Sequence, residues 1–251
     1  MLEVSGITQI FGGVTALDAV SFSIAKGDIT GVIGPNGAGK TTLFNIITGI
    51  YHQSAGTVLL EGKDISGFSP ERLARLAMVR TFQNIELFGG MTVLENVMVG
   101  MHTKSSSGLL ACALKMPWSR AEERRIRDGA MEWLEFTGIT DLAGHTAGSL
   151  PFGKGRLLEI ARALAVGPRI MLMDEPAAGL NSQETVGLAQ LIKRIRDLGI
   201  TVVLVEHDME LVMDICDRII VLNLGAKLAE GTPREIQESP EVIAAYLGDD
   251  D

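Results

Sequence analysis

The sequence predicts an α/β fold in which a sheet core is interrupted by a helical lobe. Two near-continuous apolar runs, Ile170-Met171-Leu172-Met173 and Thr201-Val202-Val203-Leu204-Val205, suit central strands of a parallel sheet covered on both faces. A helix-like run over residues 182–198 lies between them and supplies the crossover that parallel neighbours require. Over residues 90–166 the pattern changes from strand to helix, which sets a second lobe apart from the core.

In chain order, Leu2-Glu3-Val4 opens a first strand, and Val20-Ser21-Phe22-Ser23-Ile24 alternates with period two. Lys26-Gly27-Asp28 turns the chain into the strand Ile29-Thr30-Gly31-Val32-Ile33. The run Gly34-Pro35-Asn36-Gly37-Ala38-Gly39-Lys40-Thr41 follows, and it matches G-x-x-x-x-G-K-[ST], a phosphate-binding loop. The helix that leaves it begins Thr41-Thr42-Leu43, so amide N–H groups and a positive helix end converge where phosphates would sit. Lys40 supplies charge to the β- and γ-phosphates, and Thr41 a hydroxyl to Mg²⁺. Thr57-Val58-Leu59-Leu60 reads as a strand, with a turn at Glu61-Gly62-Lys63-Asp64. Ser69 at N-cap and Pro70 at N1 open a helix that runs to about Ala77.

In the second lobe, Thr92 and Glu95 form a capping pair before an apolar run. Lys104-Ser105-Ser106-Ser107-Gly108 reads as a loop. Residues 119–136 carry a charged face (Glu122, Glu123, Arg124, Arg125) and an apolar one (Ile126, Met131, Leu134). The charges are read as a solvated face, and Trp118 and Trp133 as packing residues.

The chain has 251 residues, room for one large domain or two tightly fused lobes. Although 46% of residues are hydrophobic, none of the apolar runs reaches the roughly 18 residues of a membrane span. Met1-Leu2-Glu3-Val4-Ser5 lacks a secretory pattern, so a cytosolic protein is expected, held at a membrane only by a partner. A net charge of −9 argues against nucleic acid as the main partner. Cys112 and Cys216 lack metal-binding spacing and read as free thiols, and the acidic end Gly248-Asp249-Asp250-Asp251 is expected to fray.

The chemistry concentrates at strand ends. Asp174 and Glu175 close an apolar strand, where ligands bind in open α/β sheets. Asp174 can hold the Mg²⁺ shell, and Glu175 can orient or deprotonate a water. His207 ends the next strand, suited to the γ-phosphate or the attacking water. Its neighbours Glu206 and Asp208 either join that cluster or cap the following helix. Gln83, in Thr81-Phe82-Gln83-Asn84, has an amide that can reach Mg²⁺ or water.

The ordered set Gly34 to Thr41, Gln83, residues 150–156, Asp174-Glu175, Gly179-Leu180-Asn181 and His207 resembles the ATP-binding subunit of ABC (ATP-binding cassette) transporters. The resemblance spans nearly the whole chain. It implies a P-loop NTPase fold: a RecA-like mixed, mainly parallel sheet core, an antiparallel β subdomain and an inserted α-helical subdomain. One domain over residues 2–248 is expected, with the core at about 1–88 and 168–251 and the helical subdomain at about 89–167. It also implies ATP and Mg²⁺ as ligands and a head-to-tail dimer that sandwiches two ATP molecules. By the same resemblance Gly34, Pro35, Asn36, Gly37, Ala38, Gly39, Lys40, Thr41 and Thr42 hold phosphate, and Thr41, Gln83 and Asp174 serve the metal. Glu175 is the catalytic base and His207 the switch histidine. Phe11 falls at an adenine-stacking position, where a strand-end core Phe is the alternative, and Val14 or Ala16 completes that contact.

The signature segment departs from the family's Leu-Ser-Gly-Gly-Gln, reading Leu150-Pro151-Phe152-Gly153-Lys154. Pro151 lacks the hydroxyl that reaches the partner's γ-phosphate, Phe152 replaces a small Gly, and Lys154 brings charge in place of an amide. In the helix that follows, apolar residues 157, 160, 161 and 164 share one face. Asn181 stands where an Asp is frequent. Finer features, among them Phe11-Gly12-Gly13-Val14-Thr15-Ala16-Leu17, the segment 100–120 and Glu206-His207-Asp208-Met209, resemble the larger ATPase subunit of branched-chain amino acid importers. Urea and amide importers look similar.

The expectation is therefore an ATP-hydrolysing motor subunit, peripheral on the cytoplasmic side of the plasma membrane. Its partners are permease subunits, a second ATPase subunit (a copy or a paralogue) and, indirectly, a solute-binding protein. The rivals are a soluble ABC-type ATPase acting on nucleic acid or ribosomes, a switch GTPase, and a nucleotide-binding regulator with feeble hydrolysis. The first fits poorly with an acidic single cassette, and the second with a chain that has no N-K-x-D motif.

Overall fold

The structure, a computed structural model, describes residues 1–101 and 117–247. The expected loop at 104–108, Cys112 and the acidic end at 248–251 lie outside the described residues, as do most of the 100–120 segment and the side chain of Trp118. The chain forms two compact units, one from residues 1–83 and 169–251, the other from 84–168.

The first unit holds two sheets. Strands β1 (Leu2–Phe11), β2 (Val14–Ile24), β4 (Ala55–Leu60) and β5 (Lys63–Asp64) form an antiparallel sheet in the order β2-β1-β4-β5. The second sheet runs β10-β9-β3-β8-β7-β6, from β3 (Ile29–Ile33), β6 (Met78–Thr81), β7 (Ile170–Asp174), β8 (Thr201–Val205), β9 (Arg218–Asn223) and β10 (Ala226–Gly231). It is parallel except where β10 meets β9. Every residue of β3, β7 and β8 is buried, which is why the runs 170–173 and 201–205 show no alternation. Leu43, Phe44 and Ile47 of helix α1 (Lys40–Ile47) pack with Val32, Leu172, Val203 and Ile220 in one core.

Some elements differ from expectation. Helix α2 (Pro70–Arg75) stops short of Ala77, which takes φ 60 and turns the chain into β6. Ser69 keeps N-cap backbone geometry, but its side chain makes no cap hydrogen bond. It bonds the Glu71 carboxyl instead and so holds that group below the usual range. Glu61 and Gly62 make the expected turn, but Lys63 and Asp64 continue as β5.

In the second unit, α3 (Val93–Met101), α4 (Pro117–Thr137) and α5 (Phe152–Ala165) enclose Val97, Ala130, Leu134, Ile139, Leu158 and Ala161. Thr92 and Glu95 make the capping pair: Glu95 N–H donates to Thr92 Oγ1 at 3.2 Å, and Thr92 N–H to Glu95 Oε2 at 2.8 Å. Trp133 packs against this core and meets Phe136 edge-on at 5.7 Å. Leu158, fully buried, belongs to the inward face of α5, whereas Leu157 is half-buried. The seam at 83/84 precedes the expected 88/89 because the intervening residues are held within this unit. Arg162 donates to the Glu86 carbonyl at 2.6 Å, and the Asn96 side chain brackets Phe88, accepting from its N–H at 2.9 Å.

Candidate active site

The loop 34–41 leaves the buried end of β3 and enters α1. Gly39 caps that helix at φ 97, and a Cβ there would lie 2.7 Å from Leu17 Cδ2 and 2.8 Å from the Ala16 carbonyl oxygen. Gly37 also has positive φ, 80°, but a Cβ on it would meet nothing within 4 Å. The first glycine is thus required by packing and the second by backbone conformation beside open space. Lys40 is buried, and its Nζ donates to the carbonyls of Gly34 at 2.6 Å and Pro35 at 2.8 Å. Burial pulls its pKa below the ordinary lysine value, and the Glu175 charge opposes that pull. Ala38 N–H donates to Pro35 O at 3.2 Å, closing the turn through Asn36 and Gly37. Thr41 is exposed and Thr42 half-buried in the first turn of α1.

Asp174 ends β7 almost fully buried, and Glu175 follows in a left-handed conformation, φ 45. For a non-glycine residue that costs on the order of 1–3 kcal/mol. The surroundings hold it there. Glu175 N–H donates to Val205 O at 2.9 Å, and Ala177 N–H donates to Glu206 Oε1 at 2.7 Å. Glu206 Oε2 accepts from His207 N–H at 3.0 Å and from Asp208 N–H at 3.4 Å. Burial pushes the Glu206 carboxyl above its usual pKa, against the pull of those three amides. Asp208 caps α7 (Met209–Ile215), accepting from Leu211 N–H at 3.0 Å. Asp208 is therefore the cap, and Glu206 braces the two turns on either side of the site.

Both oxygens of Glu175 are held. Gln83 Nε2 donates to Oε2 at 2.7 Å, and His207 Nε2 lies 3.1 Å from Oε1. Three sequence-selected residues from separate strand ends thus meet at one carboxylate. The donor set offered by Thr41, Gln83 and Asp174 (hydroxyl, amide and carboxylate oxygens) suits a hard divalent cation such as Mg²⁺. Among the described residues no group of three or more His, Cys, Asp or Glu is placed to hold a metal alone. A cation bound through one carboxylate plus substrate phosphates is the arrangement this set fits.

Phe11 is 43% exposed at the tip of the β1–β2 hairpin, paired with Val14 and edge-on to Tyr51 at 5.5 Å. It is not a core phenylalanine. Val14 is exposed and Ala16 half-buried.

The remaining candidates belong to the second unit or do something else. Leu150, Pro151, Phe152, Gly153 and Lys154 belong to the second unit. Pro151 is the N-cap of α5, and its carbonyl accepts from Gly155 N–H at 2.9 Å. Phe152 is 49% exposed, Lys154 is exposed, and one turn on a buried Arg156–Glu159 pair closes at 2.6 Å. Asn181 caps α6 (Ser182–Asp197) in a capping box with Glu184, accepting from its N–H at 3.0 Å. Sequence reasoning missed two residues. One is Arg80, whose guanidinium bonds Asp174, and the other is Tyr246 near the chain end, whose hydroxyl accepts from Gly34 N–H. A charged residue directly after the apolar Met78 and Val79 was the signal available for the first.

The whole architecture recurs in known proteins. The family profile described as ABC transporter matches residues 17–178. A second, described as Branched-chain amino acid ATP-binding cassette transporter, matches residues 226–251. The chain is 47% identical over 250 residues to the high-affinity branched-chain amino acid transport ATP-binding protein BraF of Pseudomonas aeruginosa, covering 99% of this chain and 98% of that one. It is 45% identical to LivG of Escherichia coli, described in the same terms, with the same coverage. A crystal structure of an ATP-binding cassette of an ABC transporter in its ADP conformation superposes with a TM-score of 0.86 at 35% identity, covering 99% of both chains. A dimeric cassette in a post-hydrolysis state, bound to ADP and Pi, superposes with a TM-score of 0.78 at 28% identity, covering 93% of this chain and 99% of that one.

Proposed function

This chain belongs to the ABC transporter ATP-binding family, and from that premise we propose that it hydrolyses MgATP to drive import of branched-chain amino acids. The observation that carries the catalytic part is the clamp on Glu175, held at both oxygens one residue after Asp174. A carboxylate fixed in this way, beside a phosphate loop, is positioned to orient a water and take its proton.

In this reading the loop amides and Lys40 bind the β- and γ-phosphates. Lys40 exchanges its bonds to Gly34 O and Pro35 O for phosphate oxygens. Thr41, Gln83 and Asp174 would hold Mg²⁺, which would neutralise phosphate charge when bound. His207 and Gln83 keep Glu175 in place to receive the attacking water. Phe11 stacks on adenine. The exposure of Phe11 at a hairpin tip supports this role.

The signature segment 150–154 meets the nucleotide of a second ATPase subunit, either a copy of this chain or a paralogue. The dimeric relative supports that assembly. Lys154 then supplies charge where Pro151 offers no donor. The exposed Phe88 and Met91 of the second unit give an apolar docking face for a permease subunit. No described helix is long and apolar enough to cross a membrane, and the placement as a peripheral subunit on the cytoplasmic face rests on the named transport ATP-binding relatives. A solute-binding protein is the indirect partner. The substrate class rests on the named relatives and on the match of the last 26 residues, 226–251.

The test is Glu175→Gln in the purified chain, alone and with its permease subunits. ATP affinity should be retained and turnover should fall by about 10²–10⁴. Wild-type turnover in the variant would remove Glu175 as the base.

A further inference from the structure

Arg80 is a buried cation that the reading above does not use. It sits on β6, opposite Leu172 of β7, with its side chain 7% exposed. The guanidinium is divided between two elements. Nη2 donates to Asp174 Oδ2, and Nη1 donates to Asn45 Oδ1 at 2.7 Å and to Thr48 Oγ1 at 3.0 Å. Asn45 lies on α1, the helix that leaves the phosphate loop, and Thr48 is its C-cap. Thr48 in turn donates to Phe44 O at 2.6 Å. The guanidinium carbon lies 5.0 Å from the Phe82 ring and 5.8 Å from the Phe44 ring. Arg80 Nε is buried with no partner among the described residues.

We propose that Arg80 is a positioning residue for the metal: it fixes which oxygen of Asp174 faces Mg²⁺ and ties that carboxylate to the helix of the phosphate loop. This rests on the MgATP reading above. With Oδ2 committed to Arg80, Oδ1 is the oxygen that faces the cation. Only a planar fork can hold Asp174 and Asn45 at once. A lysine keeps the charge but is a point donor, and it cannot fix the carboxylate's rotation from a second element. The same strand ends one residue later at Thr81, and Gln83 follows two residues beyond, so Arg80 ties the strand that leads to Gln83 to Asp174.

The experiment is ATP binding by the full chain, followed with a fluorescent ATP analogue, across a Mg²⁺ titration and in EDTA. Arg80→Lys should leave metal-free affinity within about twofold of wild type, because the charge remains. Its half-saturating Mg²⁺ concentration should rise by about five- to tenfold, within the usual range of coupling between linked ligands. A purely structural role would instead lower both affinities in proportion. The proposal is overturned if Arg80→Lys titrates with Mg²⁺ as wild type does, or if both affinities drop together. Should that variant fail to fold, the double variant Asn45→Ala/Thr48→Val removes both bonds to α1 and its C-cap and leaves the Arg80–Asp174 contact, with the same expected and overturning results. Failure of wild type to bind the analogue at all would refute the MgATP reading instead, which keeps the two claims separable.

Discussion

Replacing Gly39 with alanine tests whether the phosphate loop is wedged against the β1–β2 hairpin. The new Cβ would sit 2.7 Å from Leu17 Cδ2 and 2.8 Å from Ala16 O, where ordinary contacts begin near 3.4 Å. Each neighbour must therefore retreat by about 0.6–0.7 Å. Leu17 is fully buried and the other atom is backbone, so neither yields cheaply. Overpacking of this kind costs about 1–3 kcal/mol, and the left-handed φ of 97° adds about 1–2 kcal/mol for an L-residue. Gly37→Ala is the internal control, since it carries the same kind of φ penalty with no contact inside 4 Å. Urea unfolding without nucleotide should thus show Gly39→Ala less stable than Gly37→Ala by about 1–3 kcal/mol. Binding should reverse the emphasis for Gly37→Ala, whose methyl projects into the open space the phosphates need. If the two variants unfold alike, the wedge against Leu17 is wrong, and the glycine is required for conformation alone.

His207→Ala removes one of the two holds on Glu175, so kcat should fall by about ten- to a hundredfold while the ATP dissociation constant stays near wild type, as steady-state kinetics and equilibrium binding together would show. An equal loss of affinity would make His207 a ground-state binder instead. Burial pushes the Cys216 thiol up to about 12 from an ordinary 9.0, so peptide mapping after alkylation at pH 8 should find it unlabelled in the native chain and labelled in urea. Because the folded state keeps this proton while the unfolded state loses it, the same group should make stability fall as pH rises from 9 toward 12.

What the sequence disclosed follows from how local each signal is. The phosphate loop was legible because its glycines, lysine and threonine are contiguous and flanked by a strand and a helix. The central strands were legible because burial on both faces removes alternation. By contrast, β6 is four residues long and interrupted by a charge, and its partner among the described residues is β7, some ninety positions away in the chain. Nothing within a short window marks it as a strand. β9 enters the sheet through long-range pairing with β3 and went unread for the same reason, whereas β10 joins β9 by a local hairpin at Leu224-Gly225, a signal that was left unused. At the site, the identity of Glu175 was readable from its place after an apolar run. Its clamp was not, since Gln83 and His207 lie 92 and 32 positions away. The role of Glu206 stayed open between cluster and cap, because either use of a carboxylate leaves the same letter.

Glu206 decides whether the strained turn at Glu175 can persist, and this can be tested. One of its oxygens accepts from Ala177 beyond Glu175, and the other accepts from His207 and Asp208 on the next strand's turn. Glu206→Gln keeps an acceptor for Ala177 but sets an NH₂ against the two remaining amides. A buried donor facing donors costs about 1–3 kcal/mol, a sum comparable to the strain stored at Glu175. Urea unfolding should show that loss, and kcat should fall with little change in KM, because the base rather than the phosphate cradle is released. The pH response separates this from nonspecific damage. Burial raises the wild-type carboxyl above its ordinary 4.5, so the folded state binds a proton that the unfolded state has lost. Wild-type stability therefore falls as pH rises from about 4.5 through the raised value, and the variant lacks that component. Parallel stability curves for the two proteins between pH 4.5 and 8 would show that Glu206 is not the buried brace, and the strain at Glu175 would have to be held by other contacts.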